Sequence, residues 1–176
     1  ASAIQLTNTE QTPAKRFDLM HDINVRGTFL VTQHCIPYLK KSSNAHILTL
    51  SPPINIIPKW LGPHVAYTLS KFNMSMMALG WAEELKAYPI ASNALWPRTT
   101  IDTAAVRNLL GGEMLAKMSR TPAILSDAAY YILSKPAQSC TGHTFIDEQV
   151  LAKEGITDLS GYSVVPGAQL YQDLFV

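Results

Sequence analysis

The chain has 176 residues, 47% of them hydrophobic and 15% charged, with a formal net charge of +1. That length is enough for one domain with a real core, and that composition excludes an intrinsically disordered chain. No run of basic residues is longer than two, as in Lys40-Lys41, which argues against a partner held through a nucleic-acid backbone.

Cys35 and Cys140 form no disulfide framework and fit a reducing compartment. No apolar run reaches the roughly 18 residues of a membrane span. The opening residues lack the basic-then-apolar order of a signal peptide. Histidines 21, 34, 46, 64 and 143 lack metal-ligand spacing, so no metal site is expected. A soluble, cytoplasmic protein is the expectation, with an organelle also compatible.

The chain opens on a polar, loop-like stretch, "ASAIQLTNTEQTP". A helical pattern then runs from Thr12-Pro13 to Lys41, with Phe17, Met20, Ile23, Leu30 and Leu39 at helical spacing and lysines suited to the final turn. "AHILTL" (45–50) reads as a buried strand, and the proline-rich "SPPINIIPKWLGP" (51–63) as a loop. Residues 64–87 return to helix, with Met74, Met77, Trp81 and Leu85 facing a core. "IASNALWP" (90–97) is a second buried strand, stopped by Pro97. Helices follow at 102–110 and 126–133, separated by Gly111-Gly112. "GHTFIDE" (142–148) reads as a third strand and 149–176 as a Gly/Pro-punctuated tail. Strands alternating with helices predict an α/β fold, a doubly wound parallel sheet. Three strands make a thin sheet with an unpaired edge, so further strands are expected before Ala1.

In such sheets ligands collect outside the carboxyl ends of the strands. Ser51 follows the first strand, "PRTTIDT" (97–103) follows the second, and the helix carrying Tyr67 and Lys71 lies between them. Residues four apart share one helix face. A phenol beside an ammonium is shifted toward its phenolate and can exchange a proton near neutral pH. Ser51 supplies a hydroxyl for a substrate oxygen. The plain alternatives are an ordinary polar pair at a helix entrance, a turn role for Ser51, and a packing role for Trp60 instead of a cleft lining. A Ser51/His64 hydrolase lacks a G-x-S-x-G elbow.

"YTLSK" (67–71) resembles the Y-x-x-x-K signature of the short-chain dehydrogenase/reductase family. In family order, "NVRGTFLVTQHCIPYLKK" (24–41) resembles the helix carrying its catalytic asparagine, and "HILTLS" (46–51) its serine strand. "SNALWPRTTIDT" (92–103) resembles its N-A-x-x-P-G loop and "TGHTFIDE" (141–148) its final strand. The opening "ASA" resembles the end of its N-N-A-G motif, with Ala1 as the alanine. The resemblance implies a Rossmann-type fold, seen here without its N-terminal strands. Residues 1–176 would be the C-terminal part of a single dehydrogenase domain, with 149–176 as its tail.

It also implies an NAD or NADP cofactor and hydride transfer between an alcohol and a carbonyl. Tyr67 would be the general acid/base, and Lys71 would lower its pKa and hold the nicotinamide ribose. Asn24 would anchor a relay water, and Ser51 would bind the substrate oxygen. Pro97, Thr100, Ile101 and Thr103 would contact the nicotinamide.

Pro52 stands where many members carry the working second serine, and Arg98 replaces the glycine after Pro97. The glycine-rich phosphate loop is not among these residues. The apolar loop 52–63 and segment 104–120 imply an apolar alcohol or ketone. Helices 13–41 and 64–87 resemble those through which the family forms homodimers and homotetramers. The rival expectation is a non-catalytic protein that keeps the fold for binding or assembly.

Overall fold

The computed structural model describes residues 2–176; Ala1, matched above to the motif alanine, lies outside the described residues. Three parallel strands form one sheet in the order β1-β2-β3: β1 (Ala45–Leu50), β2 (Ile90–Trp96) and β3 (Thr144–Ile146). Every residue of the central strand β2 is buried. Its apolar sequence without alternation is what burial on both faces requires. Asn93 fixes the approach to β3. Its amide donates to the Cys140 carbonyl at 2.7 Å, and its Oδ1 accepts from the His143 amide at 2.9 Å. Gly142 allows the turn between those two contacts, at φ 77°.

The chain divides into two compact units. The first holds residues up to 94, together with 136–144 and 175; the second holds 95–135, 145–174 and 176. In the first unit the helical pattern of 12–41 is interrupted. Helix α1 (Ala14–Met20) passes through a wider π-helical turn, His21–Gly27, into α2 (Thr28–Leu39). A π turn adds one residue per turn without breaking the helix, so hydrophobic spacing does not reveal it, and such turns gather at functional sites. Loop 51–63 contains a short helix, α3 (Pro58–Leu61), where the sequence predicts only loop. Pro58 suits a first helical turn because its missing N–H would have no partner there.

Helix α4 (Val65–Glu84) follows, with His64 at its N-cap. Small residues at 66, 70, 75, 78 and 82 bring its buried face close to its neighbours. Trp81 and Leu85 pack with Ala45 and Ile90 in this unit's core, beside Ile36 and Met77. Each large side chain buried this way contributes about 1.5–3 kcal/mol.

The second unit contains a π-helical turn at Val106–Leu110, α5 (Gly112–Lys117), α6 (Ala123–Leu133) and α7 (Asp147–Lys153). The third strand ends at Ile146 instead of Glu148 because Asp147 and Glu148 open α7. Acidic side chains belong in a first helical turn, and Asp147 Oδ1 accepts from the Glu148 amide at 2.7 Å. Ile101, Ile124 and Leu151 form this unit's core. No described helix is long and apolar enough to cross a membrane.

Candidate active site

The rim of the first unit is built where β1 ends. Lys71 is 4% exposed, and its Nζ donates to the Leu50 carbonyl at 2.8 Å and contacts Met74 Sδ at 3.6 Å. An ammonium is costly to bury, and a carbonyl dipole at the strand end offsets part of that cost. Ser51, the next residue, is fully buried, and its hydroxyl has no hydrogen-bond partner. Its amide donates to the Thr49 carbonyl at 3.0 Å, turning the chain sharply at the strand end. Ser75 of α4 holds the turn from the other side through the Pro52 carbonyl. Pro52, standing where a second serine was expected, is itself fully buried.

Asn24 sits within the π turn, 1% exposed. Its Nδ2 donates to the Ala3 carbonyl at 2.8 Å and to Ser70 Oγ at 3.1 Å, while its Oδ1 accepts from the Ala3 amide at 2.9 Å. Ser70 in turn donates to the Tyr67 carbonyl at 2.8 Å. The Asn24 side chain is therefore committed to joining the opening segment to α4. Its main-chain carbonyl accepts from Thr28 Oγ1 at 2.6 Å. Tyr67, 5% exposed, lies one helical turn before Lys71. Its ring faces Phe175, centroid to centroid at 6.3 Å.

Thus Asn24, Tyr67, Lys71 and Ser51 all belong to the first unit, joined through Ser70, Leu50 and the α4 backbone. Ser70 and Phe175 were missed in the sequence. Ser70 carries no signal beyond lying inside Y-x-x-x-K, and Phe175 is 108 positions from the tyrosine whose ring it meets. His64 caps α4, and burial holds its imidazole below the usual range.

Pro97, Thr100, Ile101 and Thr103 belong to the second unit. Thr100 is saturated by the protein itself. Its hydroxyl pairs with Ser119 Oγ at 2.7 Å, its amide donates to the Tyr171 carbonyl, and its carbonyl accepts from Arg120. The bridge between Ile101 and Arg120 uses the Thr100 carbonyl and the Asp102 amide, the groups flanking Ile101. Thr103 Oγ1 accepts from the Val106 amide at 3.3 Å, and Pro97 is buried. Thr99, not anticipated from the sequence, buries a hydroxyl without a partner. Arg98, in place of glycine, is exposed and donates its amide to Asp147 Oδ1 at 2.9 Å. Among the described residues no group of three His, Cys, Asp or Glu could hold a metal ion.

A family model described as enoyl-(acyl carrier protein) reductase matches residues 1–147. The chain belongs to the short-chain dehydrogenase/reductase family. It is 57% identical, over all 176 residues, to hydroxysteroid dehydrogenase-like protein 2 of Xenopus tropicalis, and covers 42% of that protein. A solved short chain dehydrogenase from Mycobacterium thermoresistibile is 55% identical, with a TM-score of 0.91 over 100% of this chain and 62% of its own. A 3-ketoacyl-(acyl-carrier-protein) reductase from Brucella melitensis, complexed with NADH, is 24% identical and shares the fold, with a TM-score of 0.68 over 82% of this chain and 61% of its own. The chain thus spans about two fifths of the length of the curated relative it matches.

Proposed function

We propose that this chain carries the proton-transfer residues of an NAD(P)-dependent oxidoreductase that interconverts an alcohol and a carbonyl, with Tyr67 as the general acid/base. One observation carries the reading: a buried ammonium, Lys71, is anchored at the end of β1 one helical turn from Tyr67 and next to a buried, partnerless serine hydroxyl. Buried polar groups without partners are rare enough to call for a reason, and a substrate oxygen supplies one for Ser51.

In the reducing direction Tyr67 gives its phenolic proton to the carbonyl oxygen; in the oxidising direction its phenolate takes the alcohol proton. The charge of Lys71 favours the phenolate in both directions. Ser51 donates to the substrate oxygen and orients it. The donor set, an ammonium with a phenol and a serine hydroxyl, fits the ribose end of a nicotinamide nucleotide. Such a cofactor, when bound, gives or takes the hydride at the substrate carbon. Tyr67 and Lys71 are proposed to hold it. Pro97, Thr100, Ile101 and Thr103 are proposed as further contacts on the family resemblance, with Ile101 favoured because the protein's own bridge uses the groups on either side of it.

Asn24 acts in this reading as a positioning residue, since its side chain is spent on Ala3 and Ser70; any relay water would bind its carbonyl. The substrate is proposed to be apolar, which the isoleucines and Trp60 of segment 52–63 support. Family membership supports one Rossmann-type dehydrogenase domain over residues 1–176, with residues 149–176 as its tail. A homodimer or homotetramer through α2 and α4 completes the reading.

The test is nicotinamide-dependent turnover by the full-length protein on a panel of carbonyls and alcohols. Tyr67→Phe is expected to lower kcat by about a hundredfold or more, the range for losing a general acid/base. Cofactor binding without turnover in the unaltered protein would favour the non-catalytic alternative.

A further inference from the structure

We propose that Phe175 is a positioning residue for Tyr67, its ring wedged so as to hold the phenol in the orientation that proton transfer needs. Phe175 is the only non-glycine among the described residues with a positive φ, at 73°. L-residues avoid this region because Cβ crowds the backbone, and a bulky aromatic there is an outlier. Such a conformation persists only where the surroundings over-determine it, and it gathers at functional sites.

The surroundings are aromatic. Phe175 is 2% exposed, with ring centroids 5.2 Å from Phe72, 5.9 Å from Trp60 and 6.3 Å from Tyr67. Tilted contacts at these separations are attractive and directional, so they restrict rotation as well as filling space. Trp60 is itself tied to α4, because its carbonyl accepts from Thr68 Oγ1 at 2.8 Å, one residue after Tyr67. The backbone on one side of Tyr67 is held by Ser70 and its neighbour by Trp60, while the ring itself meets Phe175. The unfavourable backbone angle thus places a ring among Trp60, Phe72 and the phenol of Tyr67.

The inference rests on Tyr67 being the acid/base, and the experiment separates the two claims. Phe175→Ala, Phe175→Gly and Phe175→Leu are made in the full-length protein. Turnover, cofactor affinity and thermal midpoint are measured, and kcat is followed against pH. Glycine removes the ring and relieves the backbone, alanine removes the ring alone, and leucine keeps most of the apolar volume.

The expected result is that all three lower kcat by about tenfold or more, as a small misplacement of a reacting group does. Cofactor affinity is unchanged, and the acid limb of the kcat profile moves, because the phenol's hold on its proton depends on its burial and on where it is held relative to Lys71. Leucine is expected to retain the thermal midpoint and still lose turnover. The proposal is overturned if leucine restores full kcat, if glycine does so by relieving the backbone, or if the pH limb stays in place. A fully active Tyr67→Phe would remove the underlying reading; an inactive Tyr67→Phe beside an unaltered Phe175→Ala would remove this inference alone.

Discussion

A tyrosine's usefulness as an acid or base is set by the charge next to it, and this chain contains two contrasting cases. Tyr162 donates to Asp127 Oδ2 at 2.6 Å, and that carboxylate pushes its phenol up to about 12. A phenol beside an anion holds its proton and is useless near neutrality. In the proposed function Tyr67 lies one helical turn from the Lys71 ammonium, which would act in the opposite sense. Lys71→Met tests this. With the cation gone the phenolate loses its stabilisation, so the pKa rises and the limb of the alcohol-oxidation profile moves to higher pH. The variant also leaves the Leu50 carbonyl without its lysine donor, at a cost of about 1–3 kcal/mol. A control comparison of melting points therefore accompanies the pH profile. An unmoved limb in a folded Lys71→Met would show that the ammonium has no hold on the phenol. Spacing alone put Tyr67 and Lys71 one turn apart on a helix, as α4 has them, but left an ordinary polar pair open; the role proposed for them rests on the resemblance. The bonds of Asn24 to Ala3 and Ser70 were not legible, because they join residues 21 and 46 positions apart.

At the scale of elements, the first two strands were legible because a continuous apolar run with branched side chains has few other uses. β1 falls at 45–50, as read, and β2 at 90–96. Helix starts and ends were read to within a few residues where Pro or His marked them. The misses share a cause. The π turn at 21–27, the turn at Pro58–Leu61 and the early end of β3 depend on backbone hydrogen bonds that hydropathy does not report.

Asp147 is the instructive case: read as part of a strand, it is buried at the start of α7, where burial raises its carboxyl above the usual range despite the amides of Arg98 and Glu148. A raised folded pKa means that the folded state binds the proton more tightly than the unfolded chain does. The group's contribution to stability is therefore complete at acid pH and is lost as pH rises through the folded value. Asp147→Asn keeps Oδ1 as acceptor for both amides and removes the charge. Its urea midpoint, relative to the unaltered protein, is expected to rise between about pH 4 and pH 7. A variant that loses ground toward neutrality would mean that the ionised carboxylate stabilises α7.

At the scale of the whole molecule, the face of α4 opposite Tyr67 and Lys71 bears on assembly. Val65, Leu69 and Met76 are exposed at positions that share one helix face, and Gly80 continues the stripe with nothing within 4 Å of an added Cβ. On α2, Phe29, Val31 and Tyr38 are exposed as well. Single exposed apolar residues need no explanation, but a row of them along one helix suits an interaction surface. A second copy of the chain suits such a surface, since a two-fold interface lets the same stripe meet itself. The helix that carries Tyr67 and Lys71 on its inner face would then be clamped on its outer one.

Leu69→Glu with Met76→Glu tests both halves of this argument. Both side chains are exposed, so the fold is expected to survive, while like charges brought together across an interface oppose association. Light scattering is expected to show a smaller assembly than for the unaltered full-length protein. Turnover, corrected for folded protein, is expected to fall through loss of the clamp on α4. An unaltered protein that is already monomeric would remove the interface. A variant that dissociates yet keeps full turnover would leave α4 rigid enough by itself, held by its small-residue packing and by the bonds of Ser70 and Ser75 across its inner face.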